Sequence, residues 1–310
     1  MSNTMLPSTI APCREAAVRV AWSQWSVLGG QVGGRFVAPA SVVDPEALVL
    51  FSCALRDDEP RLWDLVGGFM REWSSLLSVQ RMRNLAAGFP TSVQRILAEV
   101  AAVAVQDGKD ARWRSLAAAT ARGYRQGKVH ERTRNIVDAP ALMVRLRLGF
   151  GVHARTDALG FLLSVGPASA TAKEVADATG YGAMPIRRAL DAMATARLVM
   201  REGSRPEQYH VLPEQWISVL GDGTRALQWR YWHMLFAFLA AVLPSRQGLV
   251  QEQSPYLESS ALRRIVLQHR AALTRNRIDV PEPSDYPGAD FLDGFGATLA
   301  AVKRWLGENV

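Results

Sequence analysis

Residues 171–212 constrain the fold more than any other part of this chain. Thr171 and Glu174 form a Thr-x-x-Glu capping box, in which each side chain accepts a hydrogen bond from a backbone N–H at the start of a helix. Gly180 is placed to end that helix, because glycine adopts the left-handed backbone conformation of a tight turn without strain. The pattern therefore predicts a short helix followed by a sharp turn.

A second helix is predicted after this turn, over about residues 182–196. Its apolar residues recur at the i, i+3, i+4, i+7 spacing of a buried stripe, namely Ile186, Ala189, Leu190 and Met193. The opposite face carries Met184, Arg187, Arg188 and Asp191. Two strand-like runs follow, at 198–201 and 208–212, and the residues between them favour a turn: Gly203, Ser204 and Pro206.

This order of helix, turn, helix and hairpin resembles the winged helix-turn-helix of bacterial transcription regulators of the MarR and ArsR families. The resemblance covers residues 150–213, where Thr156–Val165 supplies the first helix and 168–170 a short strand. It implies a recognition helix in the major groove of DNA and a wing beside the backbone. By resemblance, the DNA-binding residues are Lys173, Ala183, Met184, Arg187, Arg188, Arg201 and Arg205.

The motif also departs from the family pattern. Pro185 lies in the first turn of the second helix, where a missing N–H is tolerated. Glu202 and Glu207 accompany the arginines of the wing and weaken its attraction for phosphate. The sequence predicts a sequence-specific DNA-binding transcription regulator, and it leaves open a winged-helix module that docks or scaffolds proteins without binding DNA.

The chain as a whole is expected to be mostly α-helical. Its 310 residues, 48% hydrophobic and 21% charged, are typical of a folded protein with two or three domains. We expect an N-terminal helical domain at 1–140, the winged helix-turn-helix at 141–213, and a C-terminal helical domain for dimerisation or effector binding at 214–310. A homodimer with its seam on the C-terminal helices is expected, because two-fold proteins read paired half-sites.

Basic charge is concentrated in two places. Residues 107–147 hold ten basic and four acidic residues, and 258–277 hold five arginines and one glutamate. A basic segment beside a helix-turn-helix suits phosphate binding, and the alternative is a solvated helical face.

Helix starts in the N-terminal part are predicted at Asp44-Pro45-Glu46, at 57–60 and at Ser78, where capping residues, proline and acidic residues coincide. These helices could form a second, wingless helix-turn-helix that exposes Gln80, Arg81 and Arg83, although a helical packing domain is the preferred interpretation.

The stretch between the N-terminal helices and the motif is less regular. Helices are expected at 91–105 and 110–124, and a polar linker at 124–140. Residues 141–152 alternate as in a strand but have a composition that also suits a helix.

A long aromatic helix is predicted over 224–243, and a basic amphipathic helix over 257–274. The aromatic side chains are expected to fill a core or a dimer seam, and the alternative is a small-molecule effector pocket lined by Trp229, Trp232 and Phe236. The apolar run at 234–243 is too short to cross about 30 Å of hydrocarbon at about 1.5 Å per residue. No membrane association is expected.

No catalytic, cofactor or metal site is expected, and so no enzymatic activity. The segment from Gly123 to Lys128 is one residue short of a phosphate-binding loop, and Val129 replaces its Ser or Thr. The five histidines are scattered without a paired spacing. Cys13 and Cys53 are likewise unpaired in sequence, which argues against a zinc ribbon or a disulfide scaffold and fits a reducing cytoplasm.

Overall fold

A computed structural model describes residues 5–30, 36–117, 136–243 and 254–309. These residues form mainly α-helices, with one small sheet, so the mostly α prediction is confirmed. The helices are α1 Met5–Val27, α2 Pro45–Ala54, α3 Pro60–Trp73, α4 Val79–Ala86, α5 Thr91–Gln106, α6 Leu142–Phe150, α7 Ala154–Val165, α8 Ala172–Thr179, α9 Ala183–Thr195, α10 Pro213–Leu220, α11 Trp232–Val242, α12 Pro255–Gln268, α13 Arg270–Arg275 and α14 Phe291–Glu308.

The sheet has three short antiparallel strands in the order β1-β3-β2. They are β1 Ala170–Thr171, β2 Met200–Glu202 and β3 Gln208–His210. Tyr209 lies at the centre of the register, opposite Ala170 on one side and Arg201 on the other. The strands are shorter than the sequence predicts, but the hairpin of β2 and β3 is present where it was expected.

The larger hydrophobic core joins the two ends of the chain. Its buried residues come from 10–144 and 232–306, and within it α1 packs against α14 while α2 packs against α11. The sequence predicts separate helical domains at the two ends. In the structure both ends are buried together, because the apolar stripe of α14 faces that of α1.

A second core lies under α7, α8, α9 and the sheet. Leu162, Val175, Ile186 and Leu190 meet there, and Tyr209 reaches them from β3. We call residues 154–212 the central unit. Its three helices all contact one another, so they form a platform on which the outward face of α9 is displayed.

Several local capping predictions are confirmed. The capping box of Thr171 and Glu174 is formed, and Gly180 ends α8 with φ of 73°. Asp44 and Ser78 cap α2 and α4 by accepting hydrogen bonds from backbone N–H groups. The start of α7 differs from the prediction, since His153 holds the N-cap position and Asp157 is buried within the helix.

The long helix predicted over 224–243 is interrupted. A 3-10 turn at Asp222–Ala226 is followed by extended backbone, and α11 begins only at Trp232. The break arises because Gln228 pairs with the segment around Ser41, through Val42 N–H to Gln228 O at 3.0 Å and Gln228 N–H to Ala40 O at 3.0 Å. A backbone held by a distant segment cannot continue a helical ladder.

Other boundaries also differ. The ambiguous residues at 141–152 form the helix α6, and the basic helix predicted over 257–274 divides at His269 into α12 and α13. Of the helix predicted at 110–124, the structure describes a 3-10 turn at Ala111–Ser115. The remainder of that helix and most of the predicted linker at 124–140 lie outside the described residues.

Candidate nucleic-acid interface

The α8–α9 turn sets the direction of α9. Gly182 precedes α9 without a side-chain cap, and the first turn of α9 contains no acidic residue. The uncapped N–H groups and the positive end of the helix dipole at this position attract anions. The first turn of α9 is therefore suited to approach a phosphate.

The face of α9 opposite its buried stripe is open to solvent. Ala183, Arg187 and Arg188 are exposed, and Met184 is 61% exposed. The buried stripe is the expected one, Ile186, Ala189, Leu190 and Met193. The residues selected from the sequence therefore lie on one outward surface, and no other part of the described chain covers them.

Two of the candidate arginines are held by carboxylates of the same surface. Arg187 pairs with Glu207 at 3.1 Å, and Arg201 lies 3.7 Å from Glu207 and 3.8 Å from Asp191. The hydroxyl of Tyr209 donates to Asp191 at 2.8 Å. Burial and these two carboxylates raise the pKa of Tyr209, so its hydroxyl remains a donor. This network orients the arginines and also reduces the net positive charge of the surface.

Arg188 and Arg205 are the candidates with free guanidinium groups. Both are exposed, and neither forms an ion pair or hydrogen bond with any residue that the structure describes. Arg188 stands on α9 and Arg205 in the turn of the hairpin. They are therefore the side chains with the most unused hydrogen-bonding capacity on this face.

Lys173 lies at the edge of the same surface, near the start of α8. Its side chain is 79% exposed and pairs with Asp177 at 2.9 Å, one helical turn later. Asp177 also binds Arg275 of α13 at 2.7 Å. Exposed pairs of this kind contribute about 0–1 kcal/mol, so Lys173 can exchange its partner for a phosphate at little expense.

A groove of about 780 Å³ separates the start of α8 from the hairpin. Lys173, Arg187 and Arg205 bring positive charge to its walls, and Glu207 brings negative charge. The groove adjoins the outward face of α9, since Arg187 lines both.

A buried ionic cluster fixes the central unit to the helical core. Arg81 of α4 pairs with Asp44 and Glu46, and Arg147 of α6 pairs with Glu46 and Asp157; all five side chains are buried. Burial alone would raise the pKa of Asp44, but the guanidinium of Arg81 outweighs it and holds that pKa below its usual range.

The same cluster contacts the α8–α9 turn. Arg81 donates its Nε–H to the carbonyl oxygen of Thr179, and the Asn84 amide donates to Gly180 O at 3.0 Å. The hypothesis of a wingless helix-turn-helix that exposes Arg81 is therefore wrong for this residue, although Gln80 and Arg83 are exposed. The guanidinium is buried because partners far along the sequence surround it.

The three aromatic residues of the proposed effector pocket do not share one cavity wall. Trp232 and Phe236 are fully buried in the larger core, with ring centroids 5.1 Å apart, and Phe236 also stacks on Phe51 at 4.4 Å. Trp229 packs instead against Phe161 of the second core, at 5.2 Å. Their large rings fill two cores, as the packing interpretation predicts.

The basic segments are only partly available for phosphate. Arg147 is buried, Arg145 donates to Leu220 O at 3.0 Å, and the basic residues at 118–135 lie outside the described residues. In the 258–277 segment, Arg270 pairs with Glu282, and Arg263 donates to backbone carbonyls. Much of this charge serves intramolecular contacts.

No protein-family model, curated protein or solved structure matches this chain. In the parts of the chain that the structure describes, no helix is both long and apolar enough to cross a bilayer. Over the same residues, no group of three or more His, Cys, Asp and Glu side chains could hold a metal ion. Cys13 and Cys53 are buried free thiols, and burial raises the pKa of each.

Proposed function

We propose that this protein is a sequence-specific DNA-binding transcription regulator and that the central unit is a winged helix-turn-helix. The observation that carries the proposal is the outward face of α9, which stands free on a three-helix platform beside a hairpin. In this proposal α9 is the recognition helix and the hairpin of β2 and β3 is the wing.

The dimensions of α9 support this assignment. Its 13 residues give a length of about 20 Å at about 1.5 Å per residue. A helix with side chains is about 10–12 Å across, and the major groove of B-DNA is about 12 Å wide. The first two turns of α9 can therefore enter the groove without displacing the rest of the central unit.

Each exposed residue has a distinct proposed role. Arg188, whose guanidinium is free, pairs with a guanine edge, since its fork matches the O6 and N7 acceptors. Ala183 and Met184 contact thymine methyl groups. Arg205 and Lys173, which line the groove between α8 and the hairpin, bind phosphates of the DNA backbone. Without DNA, the ion pairs of Arg187 and Arg201 with Glu207 position the wing. On binding, these two arginines exchange the carboxylate for DNA phosphates.

A second candidate function is a docking module for another protein. The observation in its favour is that carboxylates already neutralise Arg187 and Arg201, while the Met184 side chain is exposed on α9 near them. Exposed methionines with balanced charges are more typical of a protein interface than of a phosphate-binding surface.

We further propose that the protein acts in the cytoplasm as a homodimer, so that two copies of α9 read two half-sites about one helical turn apart. We propose that the dimer interface lies on the C-terminal helices. Of these helices, α14 buries its apolar stripe within the chain, whereas α12 exposes Tyr256, Leu257 and Leu267.

Selection from a pool of random duplexes tests the proposal directly. The expected result is an enriched sequence with two related half-sites, whose binding weakens steeply as salt is added. A protein that binds no duplex even at low salt would favour the docking module. A variant in which Arg188, Arg205 and Lys173 are all alanine should lose the enrichment, while Arg155→Ala, an exposed change on α7, should retain it.

A further inference from the structure

A cavity of about 320 Å³ lies where the helical core meets the α8–α9 turn. Its apolar wall includes Leu85 of α4 with Met234 and Ala237 of α11, and Gly180 closes one side. The volume falls at the lower end of the range for small-molecule sites. The cavity therefore suits a compact ligand with an apolar body.

The polar part of the wall consists of Asn84, His233, Gln268 and His269. Burial lowers the pKa of His233 to about 4 and also lowers the pKa of His269. Both imidazoles are therefore neutral near pH 7, and the described wall contains no Asp, Glu, Lys or Arg. The cavity offers hydrogen bonds but no counter-charge, which disfavours a charged ligand.

His233 has unused hydrogen-bonding capacity. Its Nδ1 atom is buried and has no hydrogen-bond partner among the described residues. The nearby Asp44 carboxylate lies 3.9 Å away, which is too far for a hydrogen bond. A buried polar atom without a partner is unfavourable, so a ligand that lets the imidazole turn toward the cavity and supplies a partner to this nitrogen would relieve that penalty.

The cavity also contacts the turn that directs α9. Asn84, one of its polar residues, donates to Gly180 O at 3.0 Å. Contact between the turn and α4 is tight, since a Cβ atom added at Gly180 would lie 2.4 Å from Leu85 Cδ2. A molecule that takes the Asn84 amide as its own partner would loosen this attachment.

We propose that this cavity binds an uncharged small molecule with an apolar body and one hydrogen-bonding group, and that its occupation weakens DNA binding by competing for Asn84. The second half of this proposal rests on the proposed function, whereas the first half does not.

Binding is tested on the full chain without DNA. The probes are benzamide and benzyl alcohol, with benzoate as a charged analogue of the same shape, and the readout is the imidazole NMR signals of His233 and His269. Saturable shifts with the neutral probes and none with benzoate are expected. Ala271→Phe, at the exposed rim of the cavity, should abolish these shifts.

Ala300→Phe is the matched control, because it makes the same change at an exposed position on α14 that does not line the cavity. This variant should keep the shifts. The ligand site is overturned if neither neutral probe shifts the signals, if benzoate shifts them equally, or if Ala271→Phe leaves them unchanged.

Coupling is tested with the selected duplex. Saturating benzamide should weaken duplex binding by at least about fivefold, the lower range of allosteric couplings. Asn84→Ala should bind the duplex more weakly from the start and show no further loss. If benzamide binds and duplex affinity does not fall, the regulatory half is wrong. If benzamide binds and no duplex is bound at all, the proposed function fails and the ligand site stands.

Discussion

Arg147 on α6 forms a buried ion pair with Glu46 on α2, 101 residues earlier in the chain, at 2.7 Å. The other edge of the same guanidinium binds Asp157 of α7 at 2.7 Å. One side chain thus joins the helical core to the central unit. Arg81 repeats the arrangement from α4, since it binds Glu46 and also the last residue of α8, Thr179.

Arg147→Met should lower the free energy of unfolding by about 3–5 kcal/mol, because it leaves Asp157 and part of Glu46 buried without a counter-charge. Chemical denaturation measures this loss. The control is Arg155→Met on the exposed side of α7, which should change stability by less than about 0.5 kcal/mol. Equal effects of the two substitutions would mean that the cluster does not stabilise the fold.

His233 should make stability depend on pH. Burial lowers its pKa to about 4, so below about pH 6.5 the unfolded chain takes up a proton that the folded protein does not, and stability falls as pH falls. Relative to His233→Gln, which has no such group, the wild type should lose about 2 kcal/mol between about pH 7.5 and about pH 5. Denaturation curves of both proteins at the two pH values measure this difference. An equal change in the free energy of unfolding for the two proteins would contradict the prediction.

The sequence predicts the parts of the candidate site that depend on local interactions. The capping box of Thr171 and Glu174 and the left-handed turn at Gly180 each need partners only a few residues away. The apolar spacing of α9 likewise identifies its buried stripe, and therefore its outward face, without knowledge of the rest of the fold.

What the sequence does not reveal depends on distant partners. Arg81 has the pattern of an exposed residue on a short helix, and it is buried because distant residues surround it, among them Glu46 and Thr179, 35 and 98 residues away. The break before α11 depends in the same way on the pairing of Gln228 with Ser41. Periodicity and capping carry no information about such contacts.

Gly180→Ala should destabilise the protein by about 1–3 kcal/mol, since the strained backbone adds to a contact that Leu85 can partly relieve by turning. The residue has φ of 73°, which strains an L-residue by about 1–2 kcal/mol, and its new Cβ would lie 2.4 Å from Leu85 Cδ2. Thermal and chemical denaturation measure the loss. Gly182→Ala, two residues later, has negative φ and meets Pro185 Cδ at 3.6 Å, so its effect should stay below about 1 kcal/mol. Similar losses of stability for the two substitutions would show that the left-handed backbone at Gly180 is not what makes its replacement unfavourable.

Arg188→Ala should weaken binding to a selected duplex by about 1–3 kcal/mol and relax the preference at one base pair. Arg187→Ala should have a smaller effect, because the guanidinium it removes is already shared with Glu207 at 3.1 Å. Fluorescence anisotropy on the selected sequence and its single-base variants measures the loss of affinity and of base preference for each substitution. A larger loss for Arg187→Ala would reverse the assignment of the base-reading arginine.

Glu207→Gln should strengthen DNA binding. The carboxylate lies 3.1 Å from Arg187 and 3.7 Å from Arg201, so removing its charge frees Arg187, leaves Arg201 with Asp191 alone and removes repulsion from the DNA backbone. The expected gain is about 0.5–1 kcal/mol, with a steeper dependence of the binding constant on salt. Glu214→Gln, an exposed change on α10 outside the surface, should leave both quantities unchanged. If the protein is instead a docking module, Glu207→Gln should weaken binding to its protein partner and produce no specific duplex complex, because that carboxylate would then belong to a charge-balanced interface.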